Sequence, residues 1–439
     1  MAANKHKSAP AGPVTTLPGY GKVKERQLAG NLPADSKMGA YIYFWFFESR
    51  GDPGRDPIVL WLNGGPGSSS FLGLFAENGP YKISRNPRNK LAITDNPWSW
   101  NRNASYLMID QPPGSGLSFV EDKTDWAPTE QEATNQLYHG LQQFFTRWPE
   151  YRKLDFYIFG ESFAGVYVPM LATAILDGAA AGDPPIRLQG IGIGDGWVDP
   201  YIQQATYGDY AYAHALIDLN QKREVDRLYG TCAKAIRESQ PVTSRKADRI
   251  CNKIEEYITK VSGGANVYDV RMIGDYDFSL IGKYLDQNDV RRALHVAAKA
   301  KPWKETSKRV GHLLEKGEQN SAAHFYPRLF ESVRTLIYNG IYDMDCNFMG
   351  TDAWISTQHW TYRDEFLRKQ RAPWLVRGKV AGQLRSVAKL TQVVVYGAGH
   401  LVPMDQPEAA LALLNGFLHN DLTATPADPM EQAQTEADC

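Results

Sequence analysis

The stretch "FYIFGESFAGVYVP" sets Ser162 between Glu161 and Phe163, with strand-forming residues before it and a helix-like run after it. Small residues (Gly160, Ala164 and Gly165) flank the serine, as a tight nucleophile elbow requires. The strict G-x-S-x-G pattern is bent, because Ala164 takes the place of its last glycine. The plainer alternative is a serine that happens to fall in an ordinary strand-to-helix turn. A serine hydroxyl attacks a carbonyl only with a base and an orienting acid beside it. On an elbow scaffold these follow in the order serine, acid, histidine, on loops after late strands. "TLIYNG" is followed by "IYDMDCN", which offers Asp343 and Asp345, and "VVVYG" by "AGHLVP", which offers His400. A lone histidine after a strand usually has a structural role. Here the position, the order and the glycine-flanked loop single out His400 as the base.

The loop "NGGPGSSS" follows the apolar run "IVLWL", and its glycines let backbone N–H groups approach a ligand closely. A phosphate-binding Walker loop would need a lysine after its last glycine, and none is present. With a serine elbow in the same chain, the loop reads as half of an oxyanion hole. Its expected donors are the amides of Gly65 and Phe163. "GIGIGDG" contains Gly192, Asp195 and Gly196, but the spacing departs from G-x-G-x-x-G and reads as tight strand packing. No cysteine shows a metal-ligand spacing, so neither a metal nor a cofactor is expected. Cys232 and Cys251 lie in a polar helical stretch and are either bridged or two free thiols. Asn103 heads the sequon "NAS", whose use depends on secretion.

These residues need a scaffold. Short apolar strands alternating with helical patterns predict a mostly parallel sheet with helices on both faces. One helix is expected in "TEQEATNQLYHGLQQFFTRWPEY", with Leu137, Leu141, Phe144 and Phe145 on its apolar face. From about Tyr201 to Ala323 buried-strand runs give way to dense charge and helical periodicity, which suggests a helical cap inserted into the core. The expected organisation is a flexible tail over 1–17, core over 18–200, cap over 201–323, core again over 324–420 and a disordered tail over 421–439. A net charge of −1 and the lack of an evident basic stripe argue against nucleic acid as a partner. The longest apolar run noted, "YIYFWFF", reads as a strand, so no membrane span is expected. No signal peptide is visible at the N-terminus. Oligomeric state is open, a homodimer included.

The successive segments "LWLNGGPGSSS", "FAENGPY", "IDQPPGSGLSF", "FGESFAGVYVP", "LIYNGIYDMDCNFMG" and "GAGHLVPMDQP" resemble, in order, the signatures of the serine carboxypeptidases. The resemblance runs from about Pro18 to Leu418. Within the family it is nearest the vitellogenic-like members, through "GIGDGWVDP", "NVYDV", "VRRALHV" and "VAGQLR". It implies an α/β-hydrolase fold with a helical cap, and release of single C-terminal residues from peptides through an acyl-enzyme, favoured at acidic pH. Ser162 matches the nucleophile, His400 the base and Asp343 the acid. Ile341 replaces a first aspartate that many members carry, and Asp345 is the weaker rival for the acid. Ser68 stands where many members have a cysteine, and Cys346 matches a cysteine found near the family's active site. Glu161 and Glu77, with Trp61, Asn63 and the Gly64 amide, match the network that binds the substrate's own terminal carboxylate. Two carboxyls facing a third cannot all be ionised cheaply, so protonation of the pair in acid would favour binding. The resemblance also implies a vacuolar, lysosomal or secreted protein. An acyltransferase or esterase on the same triad, and a non-catalytic partner protein, are the competing functions.

Overall fold

The computed structural model describes residues 11–422. They form two compact units, one of residues 11–156, 174–187 and 277–311, the other of 157–173, 188–276 and 312–422.

The first unit holds β1 (Gly12–Leu17), β2 (Gly21–Pro33), β3 (Ala40–Phe47), β4 (Ile58–Leu62), β5 (Tyr81–Arg85), β6 (Leu91–Asp95), β7 (Ser105–Asp110) and the short β8 (Phe119–Val120). Its strand order is β1-β2-β3-β7-β4, with β8 beside β3 and β5-β6 a separate hairpin. β1 through β3 and β7 pair antiparallel, and β4 runs parallel to β7. Every residue of β3 is buried, so its eight apolar residues form a two-sided core strand. The helix expected within residues 129–151 is present as α1 (Glu130–Arg147). The Thr129 side chain caps it by accepting from the Glu132 amide, and Glu130 and Glu132 lie near its positive end. All four expected apolar positions are buried, and Phe144 meets Phe44 and Phe46, which share one face of β3. β1 departs from the expected loose tail over 1–17. Val14 and Leu17 are both buried, and that burial holds the segment as a strand. The expected tail residues 1–10 and 423–439 lie outside the described residues.

The second unit carries β9 (Phe156–Glu161) from Tyr157 on, the part of α2 (Ala164–Ala181) up to Thr173, then β10 (Leu188–Gly194), β11 (Arg334–Gly340), β12 (Ala372–Val376), β13 (Lys379–Val387) and β14 (Leu390–Val395). The order is β9-β10-β11-β14-β13-β12. β10, β11 and β14 run parallel, and β13 and β12 add an antiparallel edge. α2 corrects the reading that no segment is long enough to span a bilayer. By length and composition it qualifies, yet 61% of it is buried within the protein, as in a core helix. Between β10 and β11 the described residues form helices and no named strand. Residues 277–311 of this stretch belong to the first unit, the remainder to the second. Cys232, on the helix Leu219–Glu238, is disulfide-bonded to Cys251, on the helix Lys246–Cys251, and both are buried.

Candidate active site

The nucleophile candidate sits where β9 turns into α2. Ser162 has φ of +61°, in the left-handed region that costs a non-glycine residue about 1–3 kcal/mol. The end of β10 holds it there. The Ser162 amide donates to the carbonyls of Gly194 (3.0 Å) and Asp195 (3.2 Å), and its carbonyl accepts from Trp197 (2.9 Å) and Gly165 (2.8 Å). A Cβ on Gly165 would lie 2.5 Å from the Trp197 carbonyl oxygen, so only glycine lets the helix start this close to the β10 loop. Phe163 and Ala164 are buried while Ser162 is half-exposed, so the turn presents its serine and hides its neighbours.

The candidate acid and base, Asp343 and His400, come together from the loops after β11 and β14. Asp343 is fully buried. Its Oδ1 accepts from the Asp345 amide (3.0 Å), and its Oδ2 accepts from the Cys346 amide (3.2 Å) and lies 2.8 Å from His400 Nδ1. A carboxylate at that distance places the imidazole proton on Nδ1. Nε2 then carries the lone pair that a serine proton requires. The His400 amide donates to the Tyr268 carbonyl (2.7 Å), and the Tyr268 ring lies 4.8 Å from the imidazole. The two loops touch at glycines: a Cβ on Gly340 would sit 2.0 Å from the Gly399 carbonyl oxygen. Any side chain there would push acid and base apart.

Asp345, the rival acid, points elsewhere. Tyr207 Oη lies 3.2 Å from its Oδ1, and it shares a hydrogen bond with Glu255. Burial and the Asp343 charge push its carboxyl up, and burial followed by Asp345 does the same to Glu255. Cys346 is a buried free thiol, pushed well up by burial and then by Asp345 and Asp343. Ligand atoms of Asp343, Cys346 and His400 lie within 4.8 Å of one another, a spacing a metal could bridge. A thiol held protonated and an imidazole bonded to its carboxylate suit proton transfer better than metal ligation.

Sequence reasoning missed Asp195, which follows β10 and was set aside as part of a glycine-rich turn. It is fully buried with φ of +43°. Its Oδ1 accepts from the Gly340 amide (2.9 Å) and faces Asn339 Nδ2 at 3.4 Å. Burial first, then the charge and hydrogen bond of Asp343, push its carboxyl well up. The available signal was its place: an aspartate at the C-terminal end of a buried strand, as Asp343 follows β11.

The first unit holds the other candidates. Asn63 Oδ1 accepts from Trp61 Nε1 (2.8 Å) and from the Gly73 amide (3.0 Å). Those two donors fix the amide so that Nδ2 faces Glu77 Oε1 at 3.4 Å. Trp61, Asn63 and Glu77 are all buried. Beneath the loop that carries Gly64 and Gly65, Asp110 accepts from Ser69 Oγ (2.7 Å), the Ser70 amide (2.9 Å) and the Leu117 amide (2.8 Å). Burial nonetheless pushes its carboxyl up to about 7. Glu161, the last residue of β9, is a buried carboxyl of the second unit. Asn103, at the head of the sequon, is exposed.

A serine in a left-handed turn after β9, with an aspartate and a histidine bonded on the loops after β11 and β14, is the arrangement of an α/β-hydrolase fold. The chain belongs to the serine carboxypeptidase family, which it matches over residues 18–420. It is 37% identical over 401 residues to serine carboxypeptidase S10 family member 1 of Dictyostelium discoideum, covering 90% of this chain and 94% of that protein. A serine carboxypeptidase-like protein of Oryza sativa is 36% identical over 405 residues, with 90% and 93% covered. Among solved structures, a prohormone-processing carboxypeptidase from Saccharomyces cerevisiae superposes with a TM-score of 0.81 at 25% identity, over 90% of this chain and 92% of that one. The protein is a serine-type carboxypeptidase.

Proposed function

We propose that the protein releases single C-terminal residues from peptides through an acyl-enzyme on Ser162, and does so best in acid. The observation that carries this is the buried 2.8 Å bond between Asp343 and His400, on loops of the same unit that displays Ser162. In this reading His400 Nε2 takes the Ser162 hydroxyl proton as Oγ attacks the scissile carbonyl carbon. The developing oxyanion is held by the amides of Gly65 and Phe163. Collapse breaks the peptide bond, and His400 returns the proton to the departing amine of the C-terminal residue. Water, activated by the same histidine, then attacks the acyl carbon and frees Ser162.

Recognition of the terminal carboxylate falls to Trp61, Asn63, the Gly64 amide, Glu77 and Glu161. The hydrogen-bonded orientation of Asn63 supports this, since Trp61 and Gly73 saturate its oxygen and leave its N–H donors to meet carboxyl groups. Glutamates holding protons in acid can donate to a substrate carboxylate, and once ionised they repel it. A vacuolar, lysosomal or secreted location is supported by the Cys232–Cys251 disulfide, a bond favoured in oxidising compartments, and by the exposed Asn103.

The test compares a blocked dipeptide with its C-terminally amidated twin between pH 4 and 8. The expected result is fastest release from the free acid near the acidic end and slow turnover of the amide. Equal cleavage of both would remove the carboxylate clamp and leave an esterase or acyltransferase as the better reading.

A further inference from the structure

The first unit contains a cavity of about 310 Å³ remote in kind from the chemistry above, because its wall is cationic. Lys299, Lys301, Lys304, Lys308 and Arg309 line it, with Trp126 as an aromatic wall, and no acidic side chain is among the lining residues. All five cations come from the eleven residues 299–309, in a chain whose net charge is −1. Reading the overall charge hides this concentration, and the expectation that no basic stripe stands out is corrected here. Lys299 pairs with Glu121, and Arg309 lies over the Trp126 ring at 5.8 Å. Lys301, Lys304 and Lys308 have no ion-pair partner among the described residues.

Like charges gathered round one concave space repel each other, and low-dielectric walls focus their field on whatever enters. A single surface lysine is solvated at no cost. Several lining one cavity beside an indole create a field that a small anion of high charge would relieve. The volume is at the small end of the range for small-molecule sites and too small for a protein domain.

The same segment is tied to the glycine-rich loop. Ser68 Oγ and Thr306 Oγ1 are 2.9 Å apart, the Ser307 amide donates to the Gly67 carbonyl (3.0 Å) and the Ser69 amide to the Glu305 carbonyl (2.8 Å). Trp303 Nε1 donates to Ser69 Oγ (2.8 Å), which donates in turn to Asp110. Four hydrogen bonds thus join residues 303–307, between Lys301 and Lys308, to residues 67–69.

We propose that this cavity is a binding site for a small multivalent anion, bearing phosphate or several carboxylates, and that its occupancy stiffens the glycine-rich loop through residues 303–307. The binding half stands without any assumption about catalysis, while the effect on turnover rests on the oxyanion role proposed for Gly65. Anion oxygens are held by the three unpaired lysines, with Lys304 and Lys308 on either side of the Thr306 and Ser307 links.

The probes are pyrophosphate and citrate, titrated by calorimetry into the full chain, with sodium chloride at matched ionic strength as the control. The expected result is saturable binding of at least one probe, a rise in Tm beyond the salt control, and a kcat that changes on saturation. Pyrophosphate alone binding identifies a phosphate site, and citrate alone a polycarboxylate site. The triple substitution K301S/K304S/K308S should weaken that binding by about tenfold or more while leaving basal kcat/KM unchanged. W126L gives a second variant, expected to weaken binding without altering the charge. Binding of neither probe above the salt control, or equal binding by the triple variant, overturns the site. Binding with an unchanged kcat overturns the coupling to the loop.

Discussion

Asp110 poses a sharp test of how burial and hydrogen bonding compete. Its carboxyl accepts three hydrogen bonds, each of which favours the ionised form, yet full burial pushes it up to about 7 from an ordinary value of 3.8. Between those two values the folded protein holds a proton that the unfolded chain has released. The unfolded state therefore binds fewer protons, and stability falls as pH rises through this window, then levels off above 7. Roughly three pH units at about 1.36 kcal/mol each give a loss of about 4 kcal/mol between pH 4 and 7. Asp110→Asn removes the titration and keeps the shape. Its oxygen can still accept from Ser69 and Ser70, but its NH₂ group faces the Leu117 amide, donor against donor, at about 1–3 kcal/mol. Urea unfolding followed by tryptophan fluorescence from pH 4.5 to 8 should show D110N less stable than wild type in acid. The gap should close and then reverse toward pH 8, a relative swing of about 3 kcal/mol over the roughly 2.5 pH units from 4.5 to about 7. Parallel curves across the range would refute this reasoning and mean that the three hydrogen bonds outweigh burial and keep Asp110 ionised.

Ser162→Ala should lower kcat by about 10³-fold or more with little change in Tm, since it removes a half-exposed hydroxyl from a turn held by backbone bonds; labelling by a fluorophosphonate should vanish in parallel. Asp195→Asn should keep kcat/KM within about threefold, because its amide can still accept from Gly340 and also donate to Asp343, whereas Asp195→Ala leaves the buried Gly340 amide and the Asp343 carboxyl each short of a partner and should cost tenfold or more; the comparison is read from kcat/KM across pH 4 to 8.

The sequence makes the chemistry more legible than the edges of the scaffold. Ser162 stands out because an elbow needs small residues around a serine between strand and helix, and that need is written locally. Asp343 and His400 follow from chain order, though nothing local tells Asp343 from Asp345. Only the fold turns the Asp343 carboxyl onto His400 and the Asp345 carboxyl toward Tyr207 and Glu255. Asp195 was hidden because its role depends on β10 lying beside β11, a non-local fact. β2 was missed for a related reason. Its first half, "GKVKER", is mostly exposed and charged, and its identity as a strand comes from partners on both sides. β12 and β13 likewise carry exposed residues at the sheet edge, where polar alternation is weak. In α2 the apolar length reflects burial in a protein core, which composition does not separate from burial in lipid.

The end of β10 explains why three distant loops can cooperate. The Asp195 carbonyl accepts from the Ser162 amide, which helps hold Ser162 at its strained φ. The Asp195 side chain accepts from the Gly340 amide, which starts the loop that carries Asp343. The Asp195 amide donates to Tyr338 on β11 (2.8 Å), so the residue is fixed from both ends. One residue thus sets the separation between the Ser162 turn and the loop that carries Asp343, and the Gly340–Gly399 contact passes that placement to His400. Its left-handed φ is tolerable for aspartate at modest cost, and a β-branched residue could not adopt it cheaply. Burial, followed by the charge and hydrogen bond of Asp343, pushes the Asp195 carboxyl well up, which favours a hydrogen-bond donor over a second anion beside Asp343.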